Sequence, residues 1–215
     1  MQLFFHYNRI MNTKDILIYP TYFPSISHYI ATLDAKTVTF EVEATFQKQT
    51  NRNRMYIYSP NGIQLLNISV KHDSANTNFK DIKIDNQYNW QKNHFKSLEA
   101  AYKNSPFYEY FVDDLRPLFE KKHEFILDLN FEIFELVNEA LGISIPFEKT
   151  TEYFHEVTDK TDYRYLVNGK KDVTQVEPYT QVFDDKHGFI NNLSVLDLLF
   201  NEGRYAVDYL KQHSL

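Results

Sequence analysis

Cysteine is absent from the 215 residues. That excludes disulfides, thiolate nucleophiles and cysteine-ligated zinc, and it fits the cytoplasm, where disulfides are rare. Glycine is scarce, with five in the whole chain, so a glycine-rich phosphate loop is not expected. Neither G-x-G-x-x-G nor a P-loop occurs, and G-x-S-x-G and H-E-x-x-H are missing too. The eight histidines are scattered without metal-ligand spacing. No metal and no cofactor is therefore expected, and any catalysis would rest on positioning, charge and a general base. No apolar run approaches the roughly 18 residues of a membrane span, and the first residues lack the long apolar core of a secretory signal.

What is present is aromatic and acidic. Phe, Trp and Tyr make up 16% of the chain, and the formal net charge is −6. The core and any pocket walls should be ring-rich, with tyrosine hydroxyls that need partners where buried. Bulk nucleic-acid binding is not expected of such a surface. The length suits one domain able to bury a sizeable core. Met11 opens "MNTKDILIYP", which reads as a natural start before a first strand. A single domain over 11–215 is expected, with 1–10 as a loosely packed upstream extension.

The predicted class is α/β, with a βαβ-like opening, a mixed sheet, a three-helix central block and a C-terminal helix. "DILIY" (15–19) reads as a buried strand, and Pro20 and Pro24 break the chain around Tyr22 and Phe23. A helix over 26–34 follows Ser25, and "TVTFEV" (37–42) is a β-branched strand. The loop "YPTYFPS" lies at a strand's carboxyl end, where ligands collect in open α/β sheets. "RMYIYS" (54–59) and "IQLLNISV" (63–70) flank a "PNG" hairpin turn, and "DIKI" (81–84) is a shorter strand. Helical spacing groups Trp90, His94, Leu98, Ala101 and Tyr102, then Phe107 to Leu118 after Pro106, then Ile126 to Ala140 closed by Gly142. The stretch 143–190 is a charged excursion with a short strand expected at 152–157. Ser194 and Asp197 fit a capping box, with Gly203 placed to interrupt or end that helix.

Against the acidic background, "FQKQTNRNR" (46–54) holds Lys48, Arg52 and Arg54 and no acid. If extended, it sends the three cations to one side with Phe46 and Thr50, and the amides, Asn53 among them, to the other. Fixed cations on one side suit a phosphate or carboxylate, with arginine offering bidentate geometry. A solvated edge protected by cations is the plainer alternative. His94 lies on an apolar helix face, where a buried histidine bonded to a carbonyl is the commoner outcome. His187 sits in the loop "DDKHGF", and Asp197 completes a cap. Arg164 forms either an exposed pair with Asp162 or part of a polar site.

The stretches "YPTYFPSISHY", "FQKQTNRNRM", "IDNQYNWQKNHFKSLEAAYKNSPFYEYF" and "QVFDDKHGFINNLSVLDLLFNEG" occur in an order that resembles the WbqC-like protein family, in its short, Bacteroidetes-type form. The resemblance covers about residues 15 to 203. After the third helix it departs from longer members, whose glycine- and tyrosine-rich stretch is not found. It implies a role beside O-antigen and surface-polysaccharide genes, with a cytoplasmic transferase that places glycine on an amino sugar. It also implies site residues. Tyr22 falls in the opening motif, Arg52, Asn53 and Arg54 in the Asn-Arg signature, Trp90 and His94 on the signature helix, and Asp197 in the C-terminal pattern. Tyr22 or Trp90 would stack on a base or sugar face. Lys48, Arg52, Asn53, Arg54 and Arg164 would hold an anionic partner such as a nucleotide sugar or acyl donor. His94, His187 or Asp197 would serve catalysis. A non-catalytic module binding an anionic ligand or an envelope-biogenesis partner stays open beside this.

Overall fold

The computed structural model describes residues 14–71 and 77–215. The expected upstream extension, 1–10, lies outside the described residues.

Two sheets form. Four short strands pair in parallel in the order β5-β2-β1-β6: β1 (Ile16–Ile18), β2 (Val38–Phe40), β5 (Phe147–Lys149) and β6 (Thr161–Asp162). β3 (Arg54–Ser59) and β4 (Gly62–Asn67) pair antiparallel as a separate hairpin. Parallel and antiparallel pairing both occur, as expected, but divided between two sheets. The central strands β1 and β2 are buried along their whole length, which is why they read as continuous apolar runs.

Among the described residues seven α-helical segments surround the strands: α1 (Ile26–Leu33), α2 (Trp90–Tyr102), α3 (Tyr108–Glu120), α4 (Ile126–Leu141), a single turn α5 (Asp184–His187), α6 (Val195–Glu202) and α7 (Ala206–Lys211). α1 joins β1 to β2, which completes the βαβ opening. α4 covers one face of the parallel sheet. Its Phe131 and Phe134 stand edge-on to Phe40, and Phe147 closes the same cluster. The opposite face carries Thr39, bonded to Glu148 and Lys160. α2 packs on the hairpin, where the Tyr102 hydroxyl accepts the backbone N–H of Tyr58. The five positions grouped on the α2 face are the five buried ones.

Four local expectations are corrected. No strand forms at 152–157; the excursion instead supplies β5 and β6 on either side of it. Residues 81–84 close a 3-10 turn (Phe79–Asp81), and Lys83 and Ile84 make isolated bridges only. The capping box is half built. Ser194 Oγ accepts from the Leu196 N–H, but the Ser194 N–H donates to the Tyr56 carbonyl, so Asp197 has nothing to reach back for. The C-terminal helix is two helices, because Gly203 turns the chain at φ +58°.

Candidate functional site

β2 and β5 lie to one side of β1, and β6 lies to the other. The chain therefore reverses its direction of sheet growth between β1 and β6. In open parallel sheets, the crevice at the carboxyl ends of such a pair of strands is where ligands bind, because the flanking loops part there.

The segments that leave these carboxyl ends are tied together by backbone hydrogen bonds. The Tyr22 N–H donates to the Asn51 carbonyl at 2.9 Å, and the Asn51 N–H donates to the Val167 carbonyl at 2.8 Å. From α4, the fully buried Asn130 donates its side-chain amide to the carbonyls of Arg52 and Pro20. The loop after β1, the loop before β3 and the turn after β6 thus form one fixed frame.

Polar side chains converge inside that frame. Arg52 is 1% exposed, and its guanidinium lies 3.7 Å above the centre of the Tyr19 ring. Burial lowers its pKa and the neighbouring Tyr19 pulls it back; an arginine stays charged in such a place. Glu41, one residue beyond β2, is fully buried. One of its carboxylate oxygens accepts from Thr150 Oγ1 and from the Glu43 N–H. The other has no hydrogen bond and lies 3.8 Å from Arg164 Nη1. Arg164, two residues beyond β6, grips Asp162 through Nε and Nη2 and donates Nη1 to the Phe154 carbonyl. Its pKa is raised chiefly by that carboxylate. Burial raises the Tyr19 pKa, with Arg52 opposing. Among the described residues, Arg52 Nε also lacks a hydrogen-bond partner.

A buried carboxylate oxygen and a buried guanidinium N–H left unbonded at one sheet edge are costly to leave unmade. Together they offer one acceptor and one charged donor to a ligand. The sequence had singled out Arg52 and Arg164 among these four residues, but not Glu41 or Tyr19. Tyr19 opened the loop singled out at the strand end. Glu41 is the one acid in the stretch "TVTFEV", a signal that was available in the sequence.

The other expected site residues lie elsewhere. The 46–54 segment is not extended as a whole: residues 48–53 form bends and a turn before β3, Gln49 adopts φ +64°, and the cations separate. Lys48 is exposed, Arg52 is inside, and the half-buried Arg54 donates Nε to Asn67 Oδ1. Asn53 is buried and donates to the Ile68 carbonyl. Tyr22, Trp90 and His94 do meet, in a buried aromatic cluster with Tyr22 Oη 2.8 Å from His94 Nδ1. Burial lowers the His94 pKa to about 4, against a hydrogen bond to the Asn67 backbone. Asp197 is fully buried and accepts from Tyr102, Tyr179 and Gln181. Burial raises its pKa, and those three donors oppose the rise. His187 is exposed, with Nε2 3.0 Å from the Pro60 carbonyl. The side chains of His94, Asp197 and His187 therefore share no hydrogen-bond partner. No group of histidines and carboxylates suited to a metal ion occurs among the described residues, and no described helix is long and apolar enough to cross a membrane.

The sequence profile of the WbqC-like protein family matches residues 19–173, a span that holds Tyr19, Glu41, Arg52 and Arg164. The chain is also similar to the uncharacterized protein Rv1507c of Mycobacterium tuberculosis, with 25% identity across 92% of this chain and 97% of that one. No solved structure matches it significantly.

Proposed function

The chain belongs to the WbqC-like protein family, and from that premise we propose a cytoplasmic transferase of surface-polysaccharide assembly that takes its anionic substrate at the carboxyl edge of the parallel sheet. One observation carries the reading: Arg52 and Arg164 flank the buried Glu41 at the β1/β6 reversal. Guanidinium groups held in a dry site recognise phosphate or carboxylate strongly. A carboxylate beside them is an acceptor for a proton. In its finer form the reaction is aminoacyl transfer, with glycine passing to an amino sugar. The acceptor nitrogen attacks the acyl carbonyl carbon, and an N–C bond forms. The bond to the leaving group breaks and its electron pair departs with that group. The nitrogen's proton goes to Glu41.

The mass of the surface-polysaccharide repeat unit, measured in the native host with and without this gene, tests the reading. Deletion should remove one aminoacyl increment. Wild type should restore it, and Glu41→Gln should leave less than about one hundredth of the turnover, the usual contribution of a positioned base. A repeat unit unchanged by the deletion would overturn it.

A second reading is a non-catalytic module holding an anionic ligand. It is favoured by His94, His187 and Asp197 each bonding to different partners. A stoichiometric protein partner recovered from native cells, with the repeat unit unchanged, would support that reading instead.

A further inference from the structure

A second concavity lies on the other side of the 51–54 segment. It is a cavity of about 350 Å³ between the start of α1, the strand β3, the turn 169–172 and the loop 191–194. That volume lies within the range of small-molecule sites. We propose that it binds a sugar-sized ligand bearing one oxyanionic group, a phosphate or a carboxylate.

The polar groups that face the cavity divide into those that build it and those left over. Asp172 is a builder. Its Oδ2 accepts from Ser27 Oγ and Asn192 Nδ2, and its Oδ1 accepts from the Thr174 N–H. Asn191 is spent on the Val176 N–H and the Thr174 carbonyl, and Asn192 Oδ1 on the Ser27 N–H. What remains is rich in donors. Asn51 is 9% exposed, and among the described residues its side-chain amide has no hydrogen-bond partner. Arg54 keeps both terminal nitrogens after bonding Asn67 through Nε, and among the described residues neither Arg54 nor Lys170 has an acidic partner. Two cations and an amide around an otherwise hydrogen-bonded cup favour an oxyanion over a neutral or cationic ligand.

The backbone around the cup is also held in an uncommon conformation. Among the described residues three non-glycine residues adopt positive φ, and two of them line this cavity: Phe23 at +42° and Asn192 at +55°. A bulky residue such as phenylalanine is a true outlier there, and strain of this kind concentrates at ligand sites. Phe23 is packed on Phe119 and Tyr22, so among the lining rings it is the half-buried Tyr56 against which a sugar can lie. The segment 51–54 thus faces two ways. Arg52 points into the buried cluster, while Asn51 and Arg54 face the cavity.

The test is backbone-amide NMR of the full chain titrated separately with glucose 1-phosphate, glucuronate and glucose. Saturable shifts at Gly169–Asp172 and Asn191–Ser194 with a charged sugar, and none with glucose, are expected. Arg54→Gln and Lys170→Gln should each weaken that binding about tenfold, the scale of one charge-assisted hydrogen bond, with thermal stability unchanged. The stronger of the two charged probes identifies the anion. Arg52→Gln serves as the control for the buried cluster: binding that survives it, while sugar modification in the host is lost, supports the cavity independently of the proposed reaction. Shifts confined to Tyr19, Glu41 and Arg164, or no saturable binding of either charged sugar at millimolar concentration, overturn the proposal.

Discussion

His94 shows how burial alone sets the chemistry of a side chain. Its ring is 5% exposed and its pKa falls from 6.5 to about 4. At neutral pH it is uncharged, so Nδ1 can accept from the Tyr22 hydroxyl. The unfolded chain takes up this proton near pH 6.5, whereas the folded chain resists it until about pH 4. Stability is therefore fully present above pH 6.5 and falls as the pH drops toward 4, by up to about 3 kcal/mol if the whole shift is expressed. His28, also buried and with its pKa lowered to about 3, adds to the same slope. Denaturant melts across that window should show a flatter decline for His94→Gln than for wild type. An equal slope in the two proteins would place the acid sensitivity elsewhere.

Helix ends illustrate what an element demands of single residues. Gly142 and Gly203 end α4 and α6 with positive φ, of +68° and +58°. A β-carbon at Gly142 meets nothing within 4 Å, but at Gly203 it meets the Phe107 ring at 2.7 Å. Gly142→Ala should cost about 1 kcal/mol, the conformational term alone. Gly203→Ala adds a clash with a ring that is itself packed, and should cost about 2 to 4 kcal/mol. Urea unfolding of the two variants checks the order. Truncating Phe107 to Leu should recover part of the Gly203→Ala loss and none of the Gly142→Ala loss.

Across the whole molecule, Asp197 ties distant parts of the chain together. It accepts from Tyr102 on α2 and from Tyr179 and Gln181 in the segment before α5, while itself standing on α6. The carboxylate was read as a helix cap, and the fold spends it on a buried junction instead. Removing it leaves the Tyr102 and Tyr179 hydroxyls without that acceptor, while Gln181 Nε2 keeps the Ile190 carbonyl. Asp197→Ala should destabilise the protein by about 3 kcal/mol or more, and Asp197→Asn by less, since an amide oxygen still accepts. Hydrogen exchange should rise together in α2 and α6 if the junction couples them, and in α6 alone if it does not.

Much of this architecture was legible in the sequence because it follows from local periodicity. The α2 face, the buried β1 and β2, the hairpin at "PNG" and the glycine stops each rest on residues close in the chain. β5 and β6 were not legible. They are three and two residues long and gain their pairing only beside β2 and β1, more than a hundred residues away. The same holds for the candidate site. The sequence determined that residues 46–54 hold cations and no acid. Only the tertiary structure decided that Arg52 turns inward onto Tyr19 and Glu41 while Lys48 stays in solvent. The physical reason is that a guanidinium can be buried only where other segments supply a ring and a carboxylate, and those segments meet it only once the sheet has formed.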